Sequence, residues 1–130
     1  MDERDVEKLL KREVENQIPG ARCLKFVSPG YTGVPDRIIL LPGGTAVFVE
    51  LKKPGKEPRQ RQLFVQAQFR KLGFPVFGCV DSPEAVRIVV RTLTMLCGNR
   101  KNAEKLERLH KSADESAGAY ADQPVMMPLA

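Results

Sequence analysis

The chain has no tryptophan, a single histidine, three cysteines and no apolar run long enough to cross a bilayer. Each shortage removes a class of explanation. The cysteines, Cys23, Cys79 and Cys97, are odd in number and widely spaced, which argues against a disulfide framework and against a zinc site. Cys23 and Cys79 sit in strand-like apolar runs and are expected in the core. The lone histidine, His110, has no second histidine near it and is not assigned as a ligand or general base. The charged start from Asp2 leads us to expect no signal peptide, no membrane partner and a cytoplasmic protein, in a bacterium or a phage-infected cell.

What is present suits one globular domain: 130 residues, 42% hydrophobic and 28% charged. The net charge of +5 favours a polyanionic partner without proving one. Val6, Leu9, Leu10, Val14 and Ile18 recur at helical spacing, so residues 3–18 read as a helix, stopped by Pro19-Gly20. Residues 22–27 read as a strand, and 28–33 as a Gly/Pro-punctuated loop. Strands follow at 36–41 and 45–52, joined by the Pro42-Gly43-Gly44 turn as a hairpin. A helix is expected from about 58 to 72, a strand over 75–80, and a last helix over 84–97 with Ser82 as N-cap and Pro83 at its first position. From Gly98 the composition turns polar. We therefore expect a folded domain over 1–97 and an extension over 98–130, disordered in part or ordered by a partner.

The chemistry concentrates in Gly33-Val34-Pro35-Asp36-Arg37 and Phe48-Val49-Glu50-Leu51-Lys52. Strand alternation sends Glu50 and Lys52 to one side and Val47, Val49 and Leu51 to the other. A carboxylate and an ammonium in mid-strand are costly unless paired or liganded. A hairpin register can bring Asp36 beside Glu50. Two carboxylates at one point suit a hard cation such as Mg²⁺, which keeps waters and substrate phosphate oxygens as its other ligands. Lys52 beside them suits charge building on a phosphate. Alone, Glu-x-Lys on a strand is ordinarily a solvated face or a cross-strand ion pair, and Pro-Asp is ordinary turn chemistry. The combination across a tight hairpin is what makes the signal specific.

Those two segments, followed by Gln62, resemble the virus-type replication-repair nuclease (VRR-NUC) domain of the PD-(D/E)xK superfamily, from about Glu3 to about Val90. The resemblance implies an α/β fold with a restriction-endonuclease-like core, a mixed four-stranded sheet flanked by helices. It implies phosphodiester cleavage dependent on Mg²⁺, with Mn²⁺ as substitute, and, for stand-alone members of the phage and bacterial type, a homodimer that acts like a Holliday-junction resolvase. Carried over by position, Asp36 and Glu50 are metal ligands, the Leu51 carbonyl is a further one, and Lys52 is the catalytic lysine. Gln62 matches the family glutamine near the metal, although a solvated helix residue would look the same. A first-helix glutamate is also implied. Glu3, Glu7 and Glu13 compete for it, and the offset of Glu3 matches best.

Arg37, Lys53, Lys56, Arg59 and Arg61 cluster around this point and suit DNA phosphates, with a solvated basic loop as the bland alternative for each. Tyr31, in the loop before Asp36, is either a stacking group or part of a connector. The expected function is a metal-dependent, structure-selective DNA endonuclease acting on branched or junction DNA. The alternative is a non-catalytic DNA-binding module, or a subunit of a replication or repair complex.

Overall fold

The computed structural model describes residues 2–97, all within the compact unit Met1–Gly98. The extension expected over 98–130, with His110, lies outside the described residues.

Helix α1, Glu3–Gln17, starts where the Asp2 carboxylate accepts from the Asp5 N–H at 2.9 Å and the Asp5 carboxylate accepts from the Asp2 N–H at 3.2 Å. This reciprocal cap satisfies donors that a helix start leaves open. Val6, Leu10 and Val14 form its buried stripe. Strand β1 spans Arg22–Lys25, β2 Arg37–Leu41 and β3 Thr45–Leu51. Helix α2 spans Gln60–Lys71, β4 Val76–Val80 and α3 Pro83–Leu96. The Ser82 hydroxyl caps α3 by accepting from the Ala85 N–H at 3.2 Å, with Pro83 placed where a missing N–H costs nothing.

The four strands form one mixed sheet in the order β1-β2-β3-β4. The first three are antiparallel neighbours; β3 and β4 run parallel, as the helical crossover through α2 requires. This is the expected mixed four-stranded sheet with flanking helices. Helices α1 and α3 cover one face, over a core of Val6, Leu10, Ile39, Val47, Val49, Leu51, Val89 and Leu93 among others. The α2 side is aromatic: the Phe48 ring packs against those of Phe26, Phe69 and Phe74 at 5.5, 4.7 and 5.6 Å.

The β3–β4 pairing carries an irregularity. Phe48 and Val49 face Val76 and Phe77, but Leu51 faces Val80. Gly78 and Cys79 therefore both stand opposite Glu50. This bulge re-aims the end of β4, and it corrects one expectation. Cys23 is buried, but Cys79 is exposed, because the extra residue turns it out of the alternation that would have sent it to the core.

Candidate active site

The β2–β3 register pairs Arg37 with Val49, so one step toward the open end Asp36 falls opposite Glu50. Alternation then divides the two strands. Ile39, Leu41, Val47, Val49 and Leu51 join the α1/α3 core, while Phe48 and Glu50 meet side chains of α2. Asp36, Glu50 and Lys52 thus gather at one end of the hairpin, beneath the first turn of α2.

Each group is held by something specific. The Asp36 carboxylate accepts from the Leu51 N–H at 2.9 Å, and its backbone carbonyl accepts from the Phe26 N–H at 2.8 Å. Glu50 is only 2% exposed. Its Oε1 accepts from Gln62 Nε2 at 3.0 Å and lies 3.4 Å from Lys52 Nζ. Gln62 has a second contact: its Oε1 accepts from the Arg59 N–H at 2.9 Å, closing the N-terminus of α2. One amide therefore ties the helix start to Glu50 and fixes which way the carboxylate faces.

Glu50 Oε2 is buried with no hydrogen-bond partner. A buried carboxylate oxygen left unmatched is costly, so this atom is set for a ligand that protein groups do not supply. Asp36 beside it is a second hard oxygen donor. Among the described residues no group of three or more His, Cys, Asp or Glu could hold a metal. A cation here would have to complete its shell with backbone carbonyl, water and phosphate oxygens, which is the habit of Mg²⁺. The donor set therefore fits that ion.

Electrostatics point the same way. Burial, then the adjacent Asp36 charge, push the Glu50 carboxyl up to about 7, against the opposing pull of Lys52. A stability prediction follows. The group ionises near 4.5 when unfolded, so between 4.5 and about 7 the folded chain binds the extra proton. That stabilisation is complete at low pH and is lost as pH rises through about 7. In EDTA, thermal melts should show a decline of the order of 1–3 kcal/mol between about pH 5 and 8. Glu50→Gln, which stays neutral, should lack most of it; an unchanged decline in that variant would refute the assignment.

Other expected residues divide. Lys53, Lys56, Arg59 and Arg61 are exposed on the β3–α2 connection and the start of α2, with no ion pair to other described residues. Arg37 is a correction. It lies on the α1 face, 8% exposed, with Nε donating to Glu7 Oε1 at 3.0 Å and Nη1 to the Cys23 carbonyl at 3.3 Å. It is committed to Glu7 and faces away from Glu50, because period two on β2 puts it in line with Ile39 and Leu41. Glu7 is thereby engaged, leaving Glu3 one turn nearer the helix start. Among the described residues Glu3 makes no hydrogen bond or ion pair with Asp36, Glu50 or Lys52.

The sequence reading missed what the polar stripe of α2 does. Gln62 and Gln66 turn toward the sheet, and the exposed Arg70 reaches back to it. Gln66, 1% exposed, donates to the Gly78 carbonyl at 3.1 Å, and Arg70 donates to the Val76 carbonyl at 3.0 Å. Their four-residue spacing was the available signal.

The loop before Asp36 is fixed by Gly33. Its φ is +88°, and a Cβ there would lie 2.8 Å from Arg61 Cγ and 3.1 Å from the Arg61 carbonyl oxygen. Gly33→Ala should therefore cost about 1–3 kcal/mol by combining backbone strain with overpacking. Urea midpoints measure this, and a neutral result would mean that the loop is not seated on α2.

A carboxylate pair and a lysine, presented as Pro35-Asp36 and Glu50-x-Lys52 by a hairpin within a mixed sheet, define a domain of the PD-(D/E)xK class. A scan of known family profiles matches none. A phage protein named "Putative nuclease p44", from Acyrthosiphon pisum secondary endosymbiont phage 1, is 46% identical over 87 residues, covering 67% of this chain and 90% of that protein. A solved VRR_NUC domain superposes with a TM-score of 0.62 at 33% identity, covering 68% of this chain and 94% of that structure. The chain belongs to the VRR-NUC family.

Proposed function

We propose that this protein is a metal-dependent DNA endonuclease selective for branched or junction DNA. The observation that carries the reading is Glu50, buried, with one oxygen held by Gln62 and Lys52 and the other unpartnered beside Asp36. A relative named as a nuclease and the likeness to a VRR_NUC domain support the same activity.

Asp36 and Glu50 would hold Mg²⁺, or Mn²⁺ in its place, with the Leu51 carbonyl as a further ligand. When bound, the metal supplies Lewis acidity toward the phosphate and makes water a stronger acid. Lys52 places its ammonium where negative charge develops on the phosphate, and orients the attacking water. Gln62 keeps the Glu50 carboxylate in a single orientation. Glu3 is the first-helix carboxylate of the site. Lys53, Lys56 and Arg59 neutralise backbone phosphates without reading sequence. Cleavage leaves 5′-phosphate and 3′-hydroxyl ends. A homodimer sets two such centres across a symmetric junction.

The test is cleavage of labelled duplex, nicked, flapped and four-way-junction DNA with Mg²⁺, Mn²⁺ or EDTA, beside Lys52→Ala. Metal-dependent cutting of branched DNA, lost in the variant, is the expected result. Binding without cutting on every substrate, with either metal, would overturn the reading in favour of a non-catalytic DNA-binding module.

A further inference from the structure

Helix α2 is apolar on a side that the sheet does not cover. Phe64 is 53% exposed, Leu72 73%, and Tyr31 of the neighbouring loop 38%. Single exposed apolar residues are ordinary, but a contiguous aromatic patch marks an interaction surface. This patch is built. The Tyr31 hydroxyl is hydrogen-bonded to Gln68 Oε1, and Arg61 Nε donates to the Thr32 carbonyl at 3.0 Å. The Arg61 guanidinium carbon sits 4.8 Å from the Tyr31 ring centre and 5.3 Å from that of Phe64. Both distances are within cation–π range. Beside the two rings runs a groove of about 790 Å³, lined also by Phe69, Leu72 and Lys71. Arg61 is next in the chain to Gln62, which holds Glu50. The platform and the Gln62–Glu50 contact therefore share the first turn of α2, and the groove runs from there toward Leu72.

We propose that the Tyr31–Arg61–Phe64 platform and its groove bind unpaired nucleobases of the DNA substrate, an inference that rests on the nuclease reading above. The occupant follows from chemistry. The flat rings offer stacking area that any base can use, and duplex DNA keeps its bases stacked on one another. Arg61 and Lys71 supply positive charge for the phosphates on either side. A purely apolar partner would leave those cations without counter-charges. Selectivity for branched DNA then arises here, because only a strand with unstacked bases can fill the groove while its phosphate reaches Glu50 and Lys52.

The experiment uses the full chain carrying Lys52→Ala, so that the DNA stays intact. Fluorescence anisotropy gives affinities for a fully paired duplex and for a duplex with a single-stranded flap. A 2-aminopurine in the flap reports stacking by quenching. Phe64→Ala should weaken flap binding roughly tenfold and abolish the quenching, with duplex affinity unchanged. Phe64→Trp should retain both. Three outcomes would overturn the platform: equal losses on the two DNAs, no loss on either, or a change of oligomeric state in sedimentation without an effect on DNA, which would give the face to a second copy. The wild-type cleavage assay separates the two proposals. Cutting with no role for Phe64 removes the platform alone. Flap-specific quenching without any cutting removes the nuclease reading and leaves the platform.

Discussion

Lys52→Ala should lower metal-dependent cleavage about 10²–10³-fold while the domain stays folded, the usual effect of removing one preorganised donor from a developing charge. The ammonium is 3.4 Å from Glu50 Oε1, and its side chain is 16% exposed. The loss has two separable parts. Lys52 is the cation that draws the Glu50 carboxyl down against burial and against Asp36. Without it Glu50 protonates more readily, and metal binding at neutral pH weakens because the proton competes. Raising the pH should therefore recover the metal affinity of Lys52→Ala, measured by Mn²⁺ titration, but not its cleavage rate under saturating metal. Lys52→Arg should keep the affinity, since it keeps the charge, yet cleave poorly because a planar fork does not replace a compact ammonium. Cleavage restored in full at high pH would mean that Lys52 acts only through Glu50.

Arg37→Ala should do the reverse, damaging the fold. The guanidinium joins α1 to β2 through Glu7 and takes up the Cys23 carbonyl. Its side chain is 10% exposed and that of Glu7 25%, so water can partly rescue the orphaned carboxylate. The expected cost is about 2–4 kcal/mol, below that of a fully buried broken pair. For a domain of this size that lowers the melting temperature by roughly 10–20 °C. The double variant Glu7→Leu, Arg37→Met should regain most of the loss by filling the space without charge. A phosphate-binding role predicts a different pattern: a stable Arg37→Ala protein whose DNA affinity depends less steeply on salt. That pattern is expected of Lys53→Ala and Lys56→Ala.

These two arginine and lysine positions show what a sequence makes legible. Glu50 and Lys52 could be placed on one face because period two is a local rule, and Asp36 could be brought to them because a tight turn fixes the register. The fold followed from the same patterns, to within a residue or two at most element ends. The same alternation applied to β2 would have put Arg37 with Ile39 and Leu41. Clustering by charge obscured it, since proximity in sequence says nothing about which face a side chain takes. The bulge at Gly78 and Cys79 has no local signature, because it is defined against β3, a partner brought in through a crossover. For the same reason the Gln66–Gly78 contact and the pairing of Tyr31 with Phe64 around Arg61 appear only once α2 is docked.

The strand order has a kinetic consequence. Because β1, β2 and β3 are neighbours both in the chain and in the sheet, their pairings close short loops and carry little entropic cost. Only β4 must wait for a helix to form and cross over. Apart from Glu3, every residue proposed for cleavage lies between Asp36 and Gln62, on the early side of that divide. A refolding chain would therefore assemble its charges while they are still hydrated. The desolvation that raises the pKa of Glu50 would be completed last, when β4 pairs along β3 and brings Gly78 and Cys79 opposite it. The closing strand, which contributes none of the groups proposed for cleavage, would thus be the one that turns the site from a solvated cluster into a buried one.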